Sequence, residues 1–269
     1  MKNKSNYAEV NGLNMYYEVH GNGKPLVLLH GALMTIALNY GKIIPAFARD
    51  RKVIAIEQQG HGHTEDIDRP VSHEQMADDT AELLRQLGIK KADILGYSLG
   101  GATAIELAIR HPDRIRKLVV ISAPYKRDGW YPEYYPTMKN LTPEMLIGSG
   151  LQEAYAEVAR NPDNWTKLIE KFKKLNLEFI GATPEEFQSI QAPTLIMIGD
   201  SDAVPPENAV EMFKLLGGGV FGDITGLPRS QLAVIPGTNH VGMMERADWW
   251  IPMIKEFLDK PMKATDAPK

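Results

Sequence analysis

Residues 94–101 read Ile-Leu-Gly-Tyr-Ser-Leu-Gly-Gly, a Gly-x-Ser-x-Gly pattern centred on Ser98. The apolar run before Ser98 predicts a buried strand, and the pattern at 99–110 predicts a helix. A serine hydroxyl is a weak nucleophile, and at a tight strand-to-helix turn it is exposed to a neighbouring base. Such a turn needs small neighbours, which Gly96 and Gly100 supply. We therefore predict a nucleophilic serine; the alternative is a glycine-rich turn with an inactive one.

Five further apolar runs predict strands, and they lie at 25–29, 53–56, 118–121, 194–198 and 232–235. The runs are unbroken rather than alternating, which is typical of strands buried on both faces of a parallel sheet. Helical patterns separate them, the clearest at 73–87. Near the start, Asn11-Gly12 between two alternating runs predicts an antiparallel hairpin. The predicted fold class is α/β, a doubly wound, mostly parallel sheet with an N-terminal antiparallel hairpin.

The alternation of strand and helix stops between residues 124 and 192, a stretch rich in proline and aromatic residues with helical patches. We interpret it as a helical cap inserted into a core formed by 1–123 and 193–269; the alternative is a set of ordinary surface helices. Four aromatic residues at its start are candidate pocket residues, and we expect at least one of them to line the pocket. They are Trp130, Tyr131, Tyr134 and Tyr135. For each, the alternative is packing of the cap onto the core; for the pocket as a whole, it is the region of Trp165 and Phe172.

A serine nucleophile at such a turn needs an acid and a base that follow it in the order Ser, Asp/Glu, His. His240 is the last histidine of the chain, and it follows the predicted strand at 232–235. The preceding strand is followed by Asp200 and Asp202, and from position alone both qualify as the acid. Because these loops all lie at the carboxyl edge of the sheet, we expect them to meet Ser98.

Backbone N–H groups near Ser98 are candidates for an oxyanion hole. The Leu99 N–H lies at the predicted helix start, where it can bind an oxyanion. The loop after the strand at 25–29 reads His30-Gly31-Ala32, and we expect the Ala32 N–H to be the second donor. For His30 we favour a buried histidine that bridges loops over a direct chemical role.

Composition excludes several classes of function. Thirty Lys and Arg against 34 Asp and Glu give a net charge of −4, which argues against nucleic acid as a partner. The chain has no cysteine, so disulfides, thiolate metal sites and a cysteine nucleophile are excluded. The His61-x-His63 pair has no evident third ligand, and we predict no metal site. No 18-residue apolar window is evident, so we expect no membrane span. No signal peptide is evident either, and we expect a cytoplasmic location. The alternative is export, with which the lack of cysteine is also compatible.

Together these residues resemble the α/β-hydrolase superfamily, in particular its small capped serine hydrolases: carboxylesterases, enol-lactonases, C–C bond hydrolases and haloperoxidase-like perhydrolases. The resemblance covers residues 7 to about 259. It rests on His30-Gly31, Gly60-His61-Gly62, Gly96-Tyr97-Ser98-Leu99-Gly100-Gly101, Gly199-x-x-Asp202-x-Val204-Pro205 and His240. It implies that Asp202 is the acid and Asp200 a turn residue. The loop at 57–64 departs from the family pattern at Glu57, Gln59 and Thr64, so we expect its conformation but not its usual polar contacts.

The resulting hypothesis is a serine hydrolase that cleaves a small or medium, largely apolar ester or lactone through an acyl-enzyme, without a cofactor. Ser98 is the nucleophile, His240 the base and Asp202 the acid that orients it. The same residues serve C–C hydrolysis, perhydrolysis or acyl transfer as alternatives, and a non-catalytic receptor is a further one. The predicted partner is a small-molecule substrate. The oligomeric state stays open, with a homodimer among the choices, and we interpret 217–228 as a surface or oligomer-contact loop.

Overall fold

The structure is a computed structural model that describes residues 4–261. Eight strands form one sheet in the order β1-β2-β4-β3-β5-β6-β7-β8. Their bounds are β1 Lys4–Val10, β2 Leu13–His20, β3 Lys24–Leu29, β4 Arg51–Ile56, β5 Ala92–Tyr97, β6 Ile115–Ile121, β7 Thr194–Ser201 and β8 Gln231–Asn239. All six runs that predict strands at the sequence level lie within β3 to β8.

The predicted hairpin is confirmed at the start of the chain. β1 pairs antiparallel with β2, and β2 pairs antiparallel with β4. Its turn residues Asn11 and Gly12 have φ values of 50° and 83°, the left-handed region that a tight hairpin turn of this kind requires. The pairs from β4 through β3, β5, β6 and β7 to β8 are all parallel. The predicted doubly wound, mostly parallel sheet is thus present.

Helices cover both faces of the sheet. Their bounds are α1 Ile36–Tyr40, α2 Ile44–Phe47, α3 His73–Gln86, α4 Leu99–Arg110, α5 Tyr134–Lys139, α6 Leu151–Val158, α7 Trp165–Glu178, α8 Pro184–Gln188, α9 Pro206–Leu215, α10 Gly222–Thr225 and α11 Ala247–Asp259. One core contains side chains of α3, α4, α8 and α9, and the other contains those of α1, α2 and α11. Alternate residues of β3 enter opposite cores: Val27 lies in the core with α3 and α4, and Leu28 lies in the core with α1 and α11. Burial of both faces explains why the strands read as unbroken apolar runs.

The chain between β6 and β7 contains α5 to α8. A small separate core joins Tyr155 of α6 and Trp165 of α7 to Leu33 from the loop after β3. In contrast, Phe187 of α8 belongs to the core against the sheet. Helices α5 to α7 therefore lie over the carboxyl edge, and the division into a cap at 124–192 and a core stays a prediction.

The loop at 217–228 connects α9 to the amino end of β8 and includes α10. Four apolar side chains of this loop are largely exposed: Val220, Phe221, Ile224 and Leu227. This agrees with a surface loop on the edge opposite Ser98, and its role in oligomer contact stays a prediction. Within residues 4–261, no helix is both long and apolar enough to cross a membrane.

Candidate active site

Four neighbouring strands each end immediately before a polar residue at the carboxyl edge of the sheet. Ser98 follows β5, Ser122 follows β6, Asp202 follows β7 and His240 follows β8. The order of these strands in the sheet is the same as their order in the chain. The topology therefore brings together residues that lie up to 142 positions apart in the sequence.

Ser98 sits at a strained turn between β5 and α4. Its φ of 53° and ψ of −116° lie outside the regions that most residues adopt. The turn requires glycine on both sides, because a Cβ on Gly96 would lie 2.1 Å from the Gly100 oxygen and one on Gly100 would lie 2.0 Å from the Leu29 oxygen. The Ser98 N–H donates to Ile121 O on β6 at 2.9 Å, which fixes the turn to the sheet.

A chain of hydrogen bonds runs from Ser98 through His240 to Asp202. His240 Nε2 lies 3.0 Å from Ser98 Oγ, and His240 Nδ1 lies 2.7 Å from Asp202 Oδ1. An ionised carboxylate can only accept a hydrogen bond, so Nδ1 is the nitrogen that carries the proton. Nε2 is then unprotonated and faces the Ser98 hydroxyl as an acceptor. The geometry allows Ser98 to pass its proton to His240.

Asp202 lies in a buried, hydrogen-bonded environment. Its side chain accepts from the Ser122 hydroxyl, from the Gly199 N–H at 3.1 Å and from the Val204 N–H at 3.3 Å. Burial alone would raise the pKa of Asp202, but the hydrogen bonds from His240, Ser122 and Gly199 outweigh it and hold the pKa below the usual value. The carboxylate is therefore ionised at neutral pH.

Asp200 and Tyr97 support the loop that carries His240. Asp200 Oδ2 accepts from the Gly237 N–H at 2.8 Å, and Oδ1 accepts from the Thr238 N–H at 3.1 Å. The buried Tyr97 hydroxyl donates to the His240 carbonyl at 2.9 Å. Asp200 thus fixes a turn without contacting the imidazole, as the resemblance implies.

Of the two expected oxyanion donors, Leu99 directly follows Ser98, and Ala32 packs against the apolar cluster that contains Leu99. Within residues 4–261, neither the Ala32 N–H nor the Leu99 N–H donates to a protein acceptor, so both are free for a ligand. The loop with Ala32 is held by His30, whose Nε2 accepts from the Gln58 N–H at 3.0 Å while Nδ1 donates to Gly31 O at 2.7 Å. Burial lowers the pKa of His30 to about 3, so it stays neutral. His30 therefore bridges two loops, as expected.

The loop after β4 has its own set of polar contacts. Glu57 is buried and accepts from the Ile36 N–H at 3.0 Å and from the His63 N–H at 2.6 Å. His61 Nε2 accepts from the Leu33 N–H at 3.0 Å, and Thr64 Oγ1 bridges β2 to the carbonyl of Glu57. Glu57 and Thr64, two of the three departures from the family pattern, thus each make polar contacts that hold this loop. Among the described residues, no cluster of three His, Asp or Glu side chains is arranged to hold a metal ion.

A narrow cavity of about 10 Å³ lies beside Ser98. Its lining comes from the core and from the helices between β6 and β7: His73, Ser98, Leu99, Ala102, Trp130, Tyr134, Phe172, Asn176 and Phe179. Trp130 stacks on Tyr134 with ring centroids 4.3 Å apart, and its ring lies edge-on to His240 at 6.0 Å. Two of the four aromatic residues expected in the pocket therefore line it.

The other two aromatic residues lie outside this cavity. Tyr131 is 43% exposed, and its backbone N–H donates to Ala203 O. Tyr135 packs under the Arg127 guanidinium, 4.2 Å from the ring centroid, and its hydroxyl donates to Arg127 O. Tyr135 therefore anchors this segment through its ring and hydroxyl, whereas Tyr131 does so only through its backbone N–H.

Sequence reasoning missed three residues that the structure places here. Ser122 contacts Asp202, and its position directly after a buried strand was a usable signal. His73 and Asn176 line the cavity from α3 and α7, and no local pattern distinguishes them from ordinary helix residues.

The family model for the alpha/beta hydrolase fold matches residues 24–161, just over half of the chain. The chain belongs to the α/β-hydrolase family. Two curated relatives cover most of it. The 2-hydroxy-6-oxo-2,4-heptadienoate hydrolase of Pseudomonas putida is 26% identical over 88% of this chain and 90% of its own length. A protein of Azorhizobium caulinodans named "Putative carbamate hydrolase RutD" is 29% identical over 74% of this chain and 82% of its own length.

Solved structures show the same fold. The meta-cleavage product hydrolase of Pseudomonas fluorescens superposes with a TM-score of 0.78 at 21% identity, over 95% of this chain and 97% of the other. The enol-lactonase of Burkholderia xenovorans gives a TM-score of 0.71 at 22% identity, over 94% of this chain and all of the other. The family and these relatives support a hydrolase that acts on small molecules.

Proposed function

We propose that this α/β hydrolase is a serine hydrolase that cleaves a small or medium, largely apolar carboxylic ester or lactone through an acyl-enzyme. The observation that carries the proposal is the hydrogen-bonded chain Ser98–His240–Asp202 at the mouth of an aromatic cavity. Each group has a partner of the right kind at the right distance, which is how such a site is recognised regardless of sequence position.

In the proposed reaction, Ser98 Oγ attacks the carbonyl carbon while His240 Nε2 takes the hydroxyl proton. The Asp202 carboxylate keeps Nδ1 protonated and stabilises the imidazolium that forms. His240 then returns the proton to the leaving oxygen, and the C–O bond breaks to leave an acyl-enzyme. A water molecule, deprotonated by the same nitrogen, releases the acid in the second half of the reaction.

The tetrahedral intermediates carry negative charge on the former carbonyl oxygen. The Ala32 and Leu99 N–H groups are its proposed donors, and the start of α4 adds a favourable helix dipole. Removing one such donor from an enzyme typically costs about 10² to 10³ in kcat. Because both donors are backbone groups on loops held by His30 and the Ser98 turn, the oxyanion site is preorganised.

Replacement of the nucleophile tests this proposal. We expect Ser98→Ala to abolish hydrolysis of short-chain nitrophenyl esters and to leave the melting temperature close to that of the wild type, because the methyl group fits the same turn. Ser201→Ala is the matched control, since Ser201 is exposed beside Asp200. A fluorophosphonate should label Ser98, as read by peptide mass spectrometry. Full turnover by Ser98→Ala would refute the nucleophile assignment.

C–C bond hydrolysis is the second candidate, supported by the C–C hydrolase names among the relatives. A burst of nitrophenol followed by slower turnover of a nitrophenyl ester would support the ester reaction. Faster turnover of a vinylogous 1,5-diketone acid than of any ester would favour the second candidate. Perhydrolysis and acyl transfer would use the same residues, with peroxide or another acceptor of the acyl group in place of water. A non-catalytic receptor, in contrast, does not need the complete hydrogen-bonded chain Ser98–His240–Asp202.

A further inference from the structure

Most residues that line the cavity beside Ser98 are aromatic or aliphatic, and His73 is a polar exception that also borders a neighbouring pocket with Glu106 and Glu178. His73 is the first residue of α3, is only 7% exposed, and packs edge-on against Phe179 with ring centroids 5.3 Å apart. The proposed reaction has no use for this imidazole. A buried polar ring in an aromatic wall needs an explanation, because burial without a partner is costly.

The hydrogen bonds of His73 determine which nitrogen is free. Thr103 Oγ1 donates its proton to Leu99 O at 3.0 Å, so it can only accept from His73 Nδ1 at 3.1 Å. Nδ1 therefore carries the proton, and Nε2 presents a lone pair. Among residues 4–261, no donor to Nε2 is found. Burial lowers the pKa of His73 to about 4, so this acceptor persists at neutral pH.

Asn176 is the second polar side chain in the wall that is not part of the proposed catalytic set. It is 8% exposed; its Oδ1 accepts from the Tyr134 hydroxyl at 2.6 Å, and its Nδ2 donates to Phe172 O at 2.8 Å. A primary amide has two N–H bonds, so one donor remains. Both residues line the same cavity, so His73 can supply it with an acceptor and Asn176 with a donor.

We infer that His73 and Asn176 form a polar subsite for a hydroxyl group of the substrate, remote from the scissile carbonyl. The hydroxyl would donate to His73 Nε2 and accept from Asn176 Nδ2, while the remainder of the substrate contacts the aromatic wall. This inference rests on the proposed function and narrows its substrate class to hydroxy-substituted esters or lactones. A site built to bind a hydroxyl discriminates against the analogue that lacks it, because its polar groups are then left unpaired.

The test compares matched esters on the full-length protein: 4-nitrophenyl hexanoate with its 6-hydroxy derivative, and 4-nitrophenyl butyrate with its 3-hydroxy derivative. We expect the wild type to prefer the hydroxy ester of at least one pair by about tenfold or more in kcat/KM. His73→Phe should reduce that ratio about tenfold, mostly through KM, and His73→Gln, which restores an acceptor oxygen, should recover part of it. Tyr131→Phe is the control, because its exposed ring lies outside the cavity and the substitution should leave the ratio unchanged.

Two results would overturn the inference: equal kcat/KM within both pairs for the wild type, or a preference that survives in His73→Phe. If His73→Phe does not fold, Asn176→Leu serves as the second variant. If neither variant folds, the kcat/KM ratios of the wild type for the two ester pairs decide the question. Fluorophosphonate labelling of Ser98 separates this outcome from failure of the proposed function. Labelled, active enzyme without a hydroxyl preference refutes only the subsite, whereas unlabelled, inactive protein refutes the hydrolase proposal itself.

Discussion

At the scale of single residues, Asp200 and Asp202 show how environment assigns different roles to identical side chains. Asp200 is exposed and receives backbone N–H groups of the loop after β8. Those two hydrogen bonds lower the pKa of Asp200. Asp202 is buried and contacts the imidazole of His240. One carboxylate therefore supports the loop, and the other faces the proposed base.

We predict that Asp202→Asn lowers kcat far more than Asp200→Asn does. An asparagine side chain at position 202 can donate to Nδ1 of His240 and stabilise the wrong tautomer. In a comparable triad the same substitution lowers kcat by a factor on the order of 10⁴. Asp200→Asn keeps one acceptor for the loop, so we expect a loss of about tenfold or less. Ester turnover by both variants under the same conditions is the measurement. Equal and mild losses would place the acid elsewhere.

At the scale of elements, α4 carries both the Ser98 turn and a titratable group. Glu106 is a partly buried residue of α4. Burial raises its pKa to about 7, with a further contribution from Glu74, while Arg110 acts in the opposite direction. The folded chain therefore binds a proton at Glu106 that the unfolded chain releases near pH 4.5.

This difference gives a pH-dependent stability. Between pH 4.5 and about 7 the folded state holds more protons, so the contribution of Glu106 to stability falls as pH rises through that range. We expect Glu106→Gln to raise the melting temperature relative to the wild type at pH 8 and to have little effect at pH 4. Glu157→Gln on the exposed side of α6 is the control. The same difference from wild type at both pH values would contradict this prediction.

The segments that cover the cavity give a second prediction at this scale. Trp130 and Tyr134 stack on each other beside Ser98, so truncating either one enlarges the space for an acyl chain. We expect Trp130→Ala and Tyr134→Ala to raise KM for short esters and to admit longer ones, because uniform binding area is lost. A chain-length series of nitrophenyl esters is the measurement.

The matched controls are the two aromatic residues outside the cavity. Tyr131→Ala should change neither profile nor stability, since its ring is exposed. Tyr135→Ala should lower the melting temperature through loss of the contact with Arg127, with the same chain-length profile. If the profile follows Tyr131 or Tyr135 instead, a different conformation of this segment binds the substrate.

At the scale of the whole molecule, an ionic cluster joins strands at the amino edge, opposite Ser98. Asp93 of β5 is fully buried and pairs with Arg51 of β4 and Arg116 of β6. Arg51 also pairs with the exposed Asp259 at the end of α11. Burial raises the pKa of Asp93, while both guanidinium groups oppose that rise. Because the cost of burying the charge offsets part of the attraction, the cluster contributes less to stability than its contacts suggest.

Removing the shared carboxylate should nevertheless be costly. Asp93→Asn leaves two guanidinium groups near each other without a buried counter-charge, and we expect it to lower the free energy of unfolding by about 3 kcal/mol. Asp259→Asn should cost less than about 1 kcal/mol, because that partner is exposed. Urea unfolding of both variants measures the difference, and ester turnover of folded protein should be unaffected. Equal effects would show that burial does not govern this cluster.

Local sequence patterns determined most of the fold. A strand buried on both faces needs an unbroken apolar run, and a tight hairpin turn needs residues that tolerate positive φ, so β3 to β8 and the turn at Asn11 were readable directly. The helix α4 agrees with its predicted bounds, because glycines mark its start and proline its end. Ser98 was a prediction of the same kind, since its turn has a local signature.

Only the tertiary structure decided what depends on contacts between distant residues. Position alone left Asp200 and Asp202 equivalent and the resemblance favoured Asp202, whereas the contact of that carboxylate with His240 is visible only in the structure. The same holds for the cavity wall, where Trp130 and Tyr134 point inward and Tyr131 does not. His73 and Asn176 had no signature at all, because a helix residue becomes part of a site only through the packing of other elements against it. Secondary structure is encoded over a few residues, whereas a binding site is encoded by the topology that brings separate strand and helix ends together.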